Sequence, residues 1–214
     1  MNIIAFNGSP RRKGNTGSLL QEALRGASDA GATTNLIQIS DLNLKGCRGC
    51  YGCKMKLSFG KCVQKDDMTD LYPLIDSVDA VLFGSPVYMC AMTPELKMVL
   101  DRLFPYLTMD FESLLPQGSN GPKRAGLIFT QNQKEPELFS WHFQATARVL
   151  GYLGFAPAGI VVGVNTIGFE PFEKLEGRTI PDQYAQKKDE QARSWSKTMD
   201  QAYDLGRKLI KPTK

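Results

Sequence analysis

The sequence predicts an α/β protein built on one doubly wound parallel sheet. Three observations carry that prediction. Apolar runs of strand length alternate with longer stretches whose apolar residues recur at helical spacing. The alternation repeats five times along 214 residues, a length that suits a single α/β domain over 1–214. Two of the apolar runs stop at closely similar turns, Asn7-Gly8-Ser9-Pro10 and Gly84-Ser85-Pro86.

The elements follow in order. Ile3 to Phe6 is a short buried strand. Leu19, Leu20, Ala23, Leu24 and Ala27 share one helix face, and Gly31 closes that helix. Thr33 to Ile39 reads as the second strand, followed by a Gly- and Lys-rich loop over 45–65. Asp66 or Asp67 is placed to cap a helix whose apolar face is Met68, Leu71, Tyr72, Ile75 and Val78. Ala80 to Phe83 is the third strand. Thr93 then Pro94 is a helix start, a capping hydroxyl before a proline, and Leu96, Val99, Leu100 and Leu103 form the buried stripe. Residues 105–123, rich in Pro and Gly, read as a long surface connection. Ala125 to Thr130 is the fourth strand, Leu138 to Leu153 the fourth helix, and Ala158 to Val164 the fifth strand. Residues 165–182 look irregular and 183–210 look helical. No internal repeat stands out.

Composition narrows the function classes. The chain is 42% hydrophobic and 22% charged, with net charge +4. That charge is too small to argue for nucleic acid, and no basic stripe interleaves with aromatics. The C-terminal basic residues are mixed with acids, as on a solvated helix face. No apolar run reaches the roughly 18–20 residues that span a bilayer. The N-terminus begins directly with a strand pattern and lacks the features of a secretory signal. A cytoplasmic protein is expected, in which cysteines stay reduced.

Five β–α units in sequence give a flavodoxin-like sheet of strand order 2-1-3-4-5. Ligands in such sheets sit at the carboxyl ends of the strands near the topological switch point. The loops after Phe6, Phe83 and Phe129 meet there. The first, Asn7 to Gly17, enters a helix N-terminus, where free N–H groups attract anions. Ser9, Asn15 and Thr16 add neutral donors, and Arg11, Arg12 and Lys13 add charge. It has neither the Walker A ending nor Gly-x-Gly-x-x-Gly, and it reads as a phosphate cradle. The second, Gly84 to Pro94, carries Ser85, Pro86, Val87, Tyr88 and Met89, an apolar wall with exposed amides for a flat ring.

The loop after the second strand holds four of the five cysteines within sixteen residues: Cys47, Cys50, Cys53 and Cys62. A C-x2-C-x2-C spacing gathers sulfurs for a soft metal centre or for redox chemistry. An iron–sulfur cluster, free thiols and a zinc site are all compatible with it.

Asn7-Gly8-Ser9-Pro10-Arg11 with Gly14-Asn15-Thr16, the cysteine motif running into Val63-Gln64-Lys65-Asp66-Asp67-Met68, Gly84-Ser85-Pro86-Val87-Tyr88, and Leu96-Lys97 with Asp101-Arg102 occur in that order. Over residues 2–103 the chain resembles the flavodoxin-like NAD(P)H-dependent FMN reductases, and within them the iron–sulfur flavoproteins. The resemblance implies FMN, its phosphate on Ser9, Arg11, Asn15, Thr16 and Gly17. The ring would lie on Ser85, Pro86, Val87, Tyr88 and Met89, and Thr130, Gln131, Asn132 and Gln133 would complete the pocket. It implies a [4Fe–4S] cluster on Cys47, Cys50, Cys53 and Cys62. The eight residues between Cys53 and Cys62 exceed the family's usual gap, at little cost in closure entropy.

The implied chemistry is carried by FMN, without a catalytic side chain. Electrons would come from a ferredoxin-like or nicotinamide donor, NAD(P)H among them, and go to a small-molecule or protein acceptor. The resemblance also implies a homodimer or homotetramer. A cluster-free NAD(P)H-dependent flavin or quinone reductase, and a redox-sensing or zinc-binding regulatory protein, are the alternatives. The single histidine, His142, is expected to be ordinary surface or core, and Cys90 a small hydrophobic residue beside the ring loop.

Overall fold

A computed structural model describes residues 1–109, 116–118, 123–168 and 181–210. Its elements are β1 (Asn2–Asn7), α1 (Asn15–Asp29), β2 (Thr33–Gln38), α2 (Met68–Ser77), β3 (Ala80–Pro86) and α3 (Pro94–Asp101). They continue with β4 (Leu107–Met109), β5 (Pro116–Gly118), β6 (Lys123–Thr130), α4 (Ser140–Tyr152), β7 (Phe155–Gly163) and α5 (Pro181–Ile210). The main sheet has five parallel strands in the order β2-β1-β3-β6-β7. This is the expected 2-1-3-4-5 order once β4 and β5 are set apart. Those two form a small antiparallel pair, Leu107 opposite Gly118. The stretch 105–123 is therefore not all surface connection. The rest of it, 110–115 and 119–122, and most of the irregular stretch expected over 165–182 lie outside the described residues.

Strand alternation divides the interior into two layers. Ile4, Phe6, Val81, Phe83, Leu127 and Phe129 face α2, α3 and α4, and the Phe6 and Phe83 rings stack 5.3 Å apart. Ile3, Ala5, Leu82 and Ile128 face the other way, onto α1 and α5. The two helices of that second layer touch at glycines. A Cβ on Gly206 would stand 1.8 Å from the Ala23 carbonyl oxygen, and one on Gly26 2.1 Å from that of Tyr203. The helix starts follow their sequence signals unevenly. Thr93 caps α3 through its side chain, with Pro94 at the first position. The N-cap residue of α2 is Asp67, but its side chain makes no capping bond. No helix among the described residues is long and apolar enough to cross a membrane.

Candidate functional site

A cleft of about 530 Å³ opens at the carboxyl ends of β1, β3 and β6. Its first wall is the loop from β1 into α1. Asn7 shapes this loop: its Oδ1 accepts the Ser9 N–H at 3.1 Å, and its Nδ2 donates to Gln38 Oε1 at 2.8 Å. Gln38 in turn donates to the Ser9 carbonyl at 2.6 Å. The Ser9 hydroxyl then accepts the Arg11 N–H at 3.2 Å. The outcome is a loop bent around α1, whose N-cap residue Gly14 supplies no side-chain cap and whose first turn has no acid. Free N–H groups and the positive end of the helix dipole therefore face the cleft.

The first two loops are sewn together. The Gly8 N–H donates to the Gly84 carbonyl at 2.8 Å, and the Thr93 hydroxyl donates to the Gly8 carbonyl at 2.8 Å. Beyond them, the Thr16 and Thr130 hydroxyls are 2.7 Å apart, tying α1 to the end of β6.

The cleft brings together Ser9, Arg11, Asn15, Thr16, Pro86, Val87, Tyr88, Thr130 and Gln131 of the sequence-based set, with Lys13 and Asn132. Gln133 is not among its lining residues. Gln131 stands out. It is 2% exposed, its Nε2 donates to the Glu135 carbonyl at 2.7 Å, and its Oε1 has no partner among the described residues.

Five residues of those loops have partners or placements that the sequence did not show. Asn15 is not a free donor: its amide donates to the Ile167 carbonyl at 2.9 Å and accepts from Gln191 at 3.0 Å. Arg12 turns to Asp41 on the surface, outside the cleft. Gly17 is buried behind the loop, where a Cβ would lie 2.3 Å from the Arg12 carbonyl oxygen. Ser85 faces α3, donating to the Pro86 carbonyl and accepting the Thr93 N–H at 2.9 Å. Met89 is 97% exposed at the tip of a turn and does not line the cleft.

That turn is tight. Tyr88 and Ala91 exchange backbone hydrogen bonds at 2.8 and 3.0 Å, and Met89 and Cys90 between them have φ of +46° and +68°. Cys90 is exposed rather than a packed small hydrophobe, because this backbone points it outward. His142 anchors the far side of the turn: its Nε2 accepts the Met92 N–H at 2.9 Å. Burial, helped by Lys97, lowers its pKa below the usual histidine value. It is a structural histidine, as expected, and its bond holds the turn.

The sequence reading missed the segment after β7. Thr166, Ile167 and Gly168 line the cleft too. Their only signal is position, at the carboxyl end of a strand.

The four cysteines of the loop after β2 line a second, mostly apolar cavity of about 280 Å³. It shares no lining residue with the first, so the loop does not border the cleft directly. Cys53 is buried, Cys62 half-buried, and Cys47 and Cys50 exposed. The Gly52 N–H, with Arg48 nearby, lowers the Cys50 pKa, whereas burial raises that of Cys53. Among the described residues, no three His, Cys, Asp or Glu side chains converge tightly enough for one metal ion.

The long gap before Cys62 folds into a knot. The Gly60 N–H bonds the Cys53 carbonyl at 2.9 Å, and the Ser58 hydroxyl bonds that of Gly52 at 2.6 Å. Lys54 fastens the knot to the turn after α3, donating to the carbonyls of Phe104 at 2.8 Å, Pro105 at 3.2 Å and Leu107. Arg102 also lines this cavity, and it is ion-paired with Asp66. Asp66, expected as a cap, does accept the Met68 N–H at 3.2 Å. Its main partner is Arg102.

Residues 1–144 match the family model described as NADPH-dependent FMN reductase. An iron-sulfur flavoprotein of Archaeoglobus fulgidus is 32% identical over 167 residues, which are 78% of this chain and 70% of that protein. One of Methanocaldococcus jannaschii is 38% identical over 105 residues, 49% of this chain and 53% of that protein. The matches span about half the length of most of these curated relatives. Among solved structures, an azoreductase from Bacillus anthracis aligns with a TM-score of 0.67 at 13% identity, covering 97% of this chain and 99% of its own. The NAD(P)H:quinone oxidoreductase from Methanothermobacter marburgensis aligns at 0.65 with 16% identity and 98% of both chains. At such identities the likeness is one of fold.

Proposed function

The chain belongs to the NADPH-dependent FMN reductase family, in its iron–sulfur flavoprotein branch, and from that premise we propose an FMN-dependent oxidoreductase that exchanges electrons between FMN and a [4Fe–4S] cluster. The observation that carries the flavin half is the uncapped N-terminus of α1 opening into the cleft. A phosphate monoester fits there, on free N–H groups with Arg11 and Lys13 beside it. A cleft of about 530 Å³ is of the size that holds such a cofactor. Gln131 Oε1, buried and without a partner among the described residues, is an acceptor suited to a ligand donor. Ser9, Thr16 and Thr130 would hold the phosphate end, with Pro86, Val87 and Tyr88 against the ring.

FMN, when bound, takes up electrons in pairs and releases them singly. The chain's own contribution is to position it. Asn7 and Gln38 fix the loop at the phosphate end. His142 and the bond from the Val87 N–H to the Thr130 carbonyl, 2.8 Å, fix the wall at the ring end.

The cluster half rests on the donor set. Four thiols line one cavity that is otherwise mostly apolar, with the buried cation Arg102 among its lining residues. Four cysteine thiolates are the usual ligand set of such a cluster, and all four line this one cavity. Cys47, Cys50, Cys53 and Cys62 would be the ligands, and the cluster would carry one electron at a time.

A cytoplasmic homodimer or homotetramer belongs to the same reading, supported by the exposed apolar side chains Tyr51, Leu57, Phe59 and Met89. A nicotinamide or ferredoxin-like donor and a small-molecule or protein acceptor complete it.

The test is anaerobic purification with flavin, iron and sulfide quantified after reconstitution. Retention of FMN but not of riboflavin supports the phosphate site, and loss of both overturns it. Four irons per chain support the cluster. FMN without iron leaves the cluster-free flavin or quinone reductase.

A further inference from the structure

Arg102 is 2% exposed and is one of the residues lining the cysteine cavity. Its two terminal nitrogens are fully used. Nη1 donates to the Lys45 carbonyl at 2.8 Å and to Asp66 Oδ2 at 2.6 Å. Nη2 donates to Asp66 Oδ1 at 3.0 Å and to the Gln64 carbonyl at 3.4 Å. The Tyr72 hydroxyl holds the residue's own carbonyl at 2.7 Å. These bonds leave the guanidinium no freedom to turn. Its Nε–H is nevertheless buried, with no acceptor among the described residues.

A buried donor on a charged group is costly to leave unmet, and a planar guanidinium pinned at both ends sends its Nε–H in one fixed direction. The acceptor must therefore come to the arginine. The cavity it lines offers sulfur: Cys62 lines the same cavity.

Resting on the cluster reading above, we propose that Arg102 is a positioning and tuning residue for the [4Fe–4S] cluster. Its Nε–H donates to a cluster sulfide or to the Cys62 sulfur. On reduction one electron enters, supplied by a donor of the nicotinamide or ferredoxin class through the flavin, and no bond forms or breaks. The added negative charge strengthens the Nε–H bond, so Arg102 raises the reduction potential. Asp66 and the Lys45 and Gln64 carbonyls aim the donor.

Arg102→Lys is the discriminating variant. Lysine places a methylene where arginine has Nε, yet keeps a cation opposite Asp66. The measurement is a redox titration of the anaerobic holoprotein by electron paramagnetic resonance, with iron quantified in parallel. The expected result is a more negative cluster potential, about tenfold in the reduced-to-oxidised ratio, or about 59 mV for a one-electron couple. An unchanged potential at unchanged iron content overturns this inference alone. Absence of iron from the reconstituted unsubstituted protein overturns the cluster reading and this inference with it.

A second measurement leaves Arg102 in place. In protein carrying 15N-labelled arginine and Arg48→Lys, to remove the other arginine lining the cavity, the reduced cluster should show a 15N hyperfine coupling. No coupling overturns the proposal.

Discussion

Asp66 meets Arg102 with both carboxylate oxygens, at 2.6 and 3.0 Å, and neither side chain is more than 2% exposed. Burial alone would raise the Asp66 pKa, but the Arg102 hydrogen bonds and the Lys45 N–H hold it below the usual carboxylate value. A depressed folded pKa gives stability that is full above the unfolded value of about 4 and lost as pH falls through the folded value. Chemical denaturation should therefore show a stability loss setting in below about pH 4. Asp66→Asn should remove that component and cost about 3–5 kcal/mol at neutral pH, because it leaves a buried cation unpaired. A cost below about 1 kcal/mol would show that the pair is not a structural strut.

Lys54 makes the long gap before Cys62 a folded unit. Its ammonium group lies 4.7 Å from the Phe104 ring centre as well as on the carbonyls of the same turn. Lys54→Met keeps the apolar stem and removes these bonds, at about 1–2 kcal/mol of local stability. Opening of the knot should rise about 5- to 30-fold. Tryptic cleavage after Lys56 and Lys61 reports it, and an unchanged cleavage rate would refute the role.

The turn at Met89 and Cys90 has positive φ at both central residues, the geometry of a type I′ turn, which favours Asn-Gly. Two side chains that dislike this region hold it, and Met89 makes little contact in return. The double substitution Met89→Asn, Cys90→Gly should stabilise the protein by about 1–2 kcal/mol. A melting temperature raised by about 2–8 °C is expected at this chain length. A lower one would mean that the exposed pair is held by contacts beyond the turn.

Local signals carried most of the fold. The strands are short apolar runs with turn residues behind them, and Thr93-Pro94 marked the cap and first residue of α3. The cleft followed from topology, since a parallel sheet with this order gathers those loops. What sequence did not give was pairing at a distance. Asn15 is the type of residue that binds phosphate, but Gln191 takes its side chain from 176 positions away. Asp66 has the form of a cap, and only the return of α3 brings Arg102 to it, 36 positions on. The β4–β5 pair was missed because three-residue strands are too short for a period to appear.

His142 links the loop of the ring wall to α4. To accept the Met92 N–H its Nε2 must be unprotonated, which places the single imidazole proton on Nδ1. Protonation would turn that acceptor into a donor facing another donor. The charged group nearest in effect, Lys97, also opposes it, and burial acts in the same direction. The folded pKa is thus below the unfolded value of about 6.5, so the unfolded chain binds the proton first. Stability is full above about pH 6.5 and declines as pH falls through the folded value. The onset of this loss, near pH 6.5, lies above that of the Asp66 loss, near pH 4. His142→Gln keeps an acceptor without the titration. It should flatten the melting temperature between pH 7.5 and 5.5 while costing no more than about 1 kcal/mol at pH 7.5. His142→Ala removes the acceptor at every pH, and should weaken FMN binding at pH 7.5 by freeing the wall formed by Pro86, Val87 and Tyr88. If the glutamine variant kept the full pH dependence of the unsubstituted protein, the titrating group would not be His142.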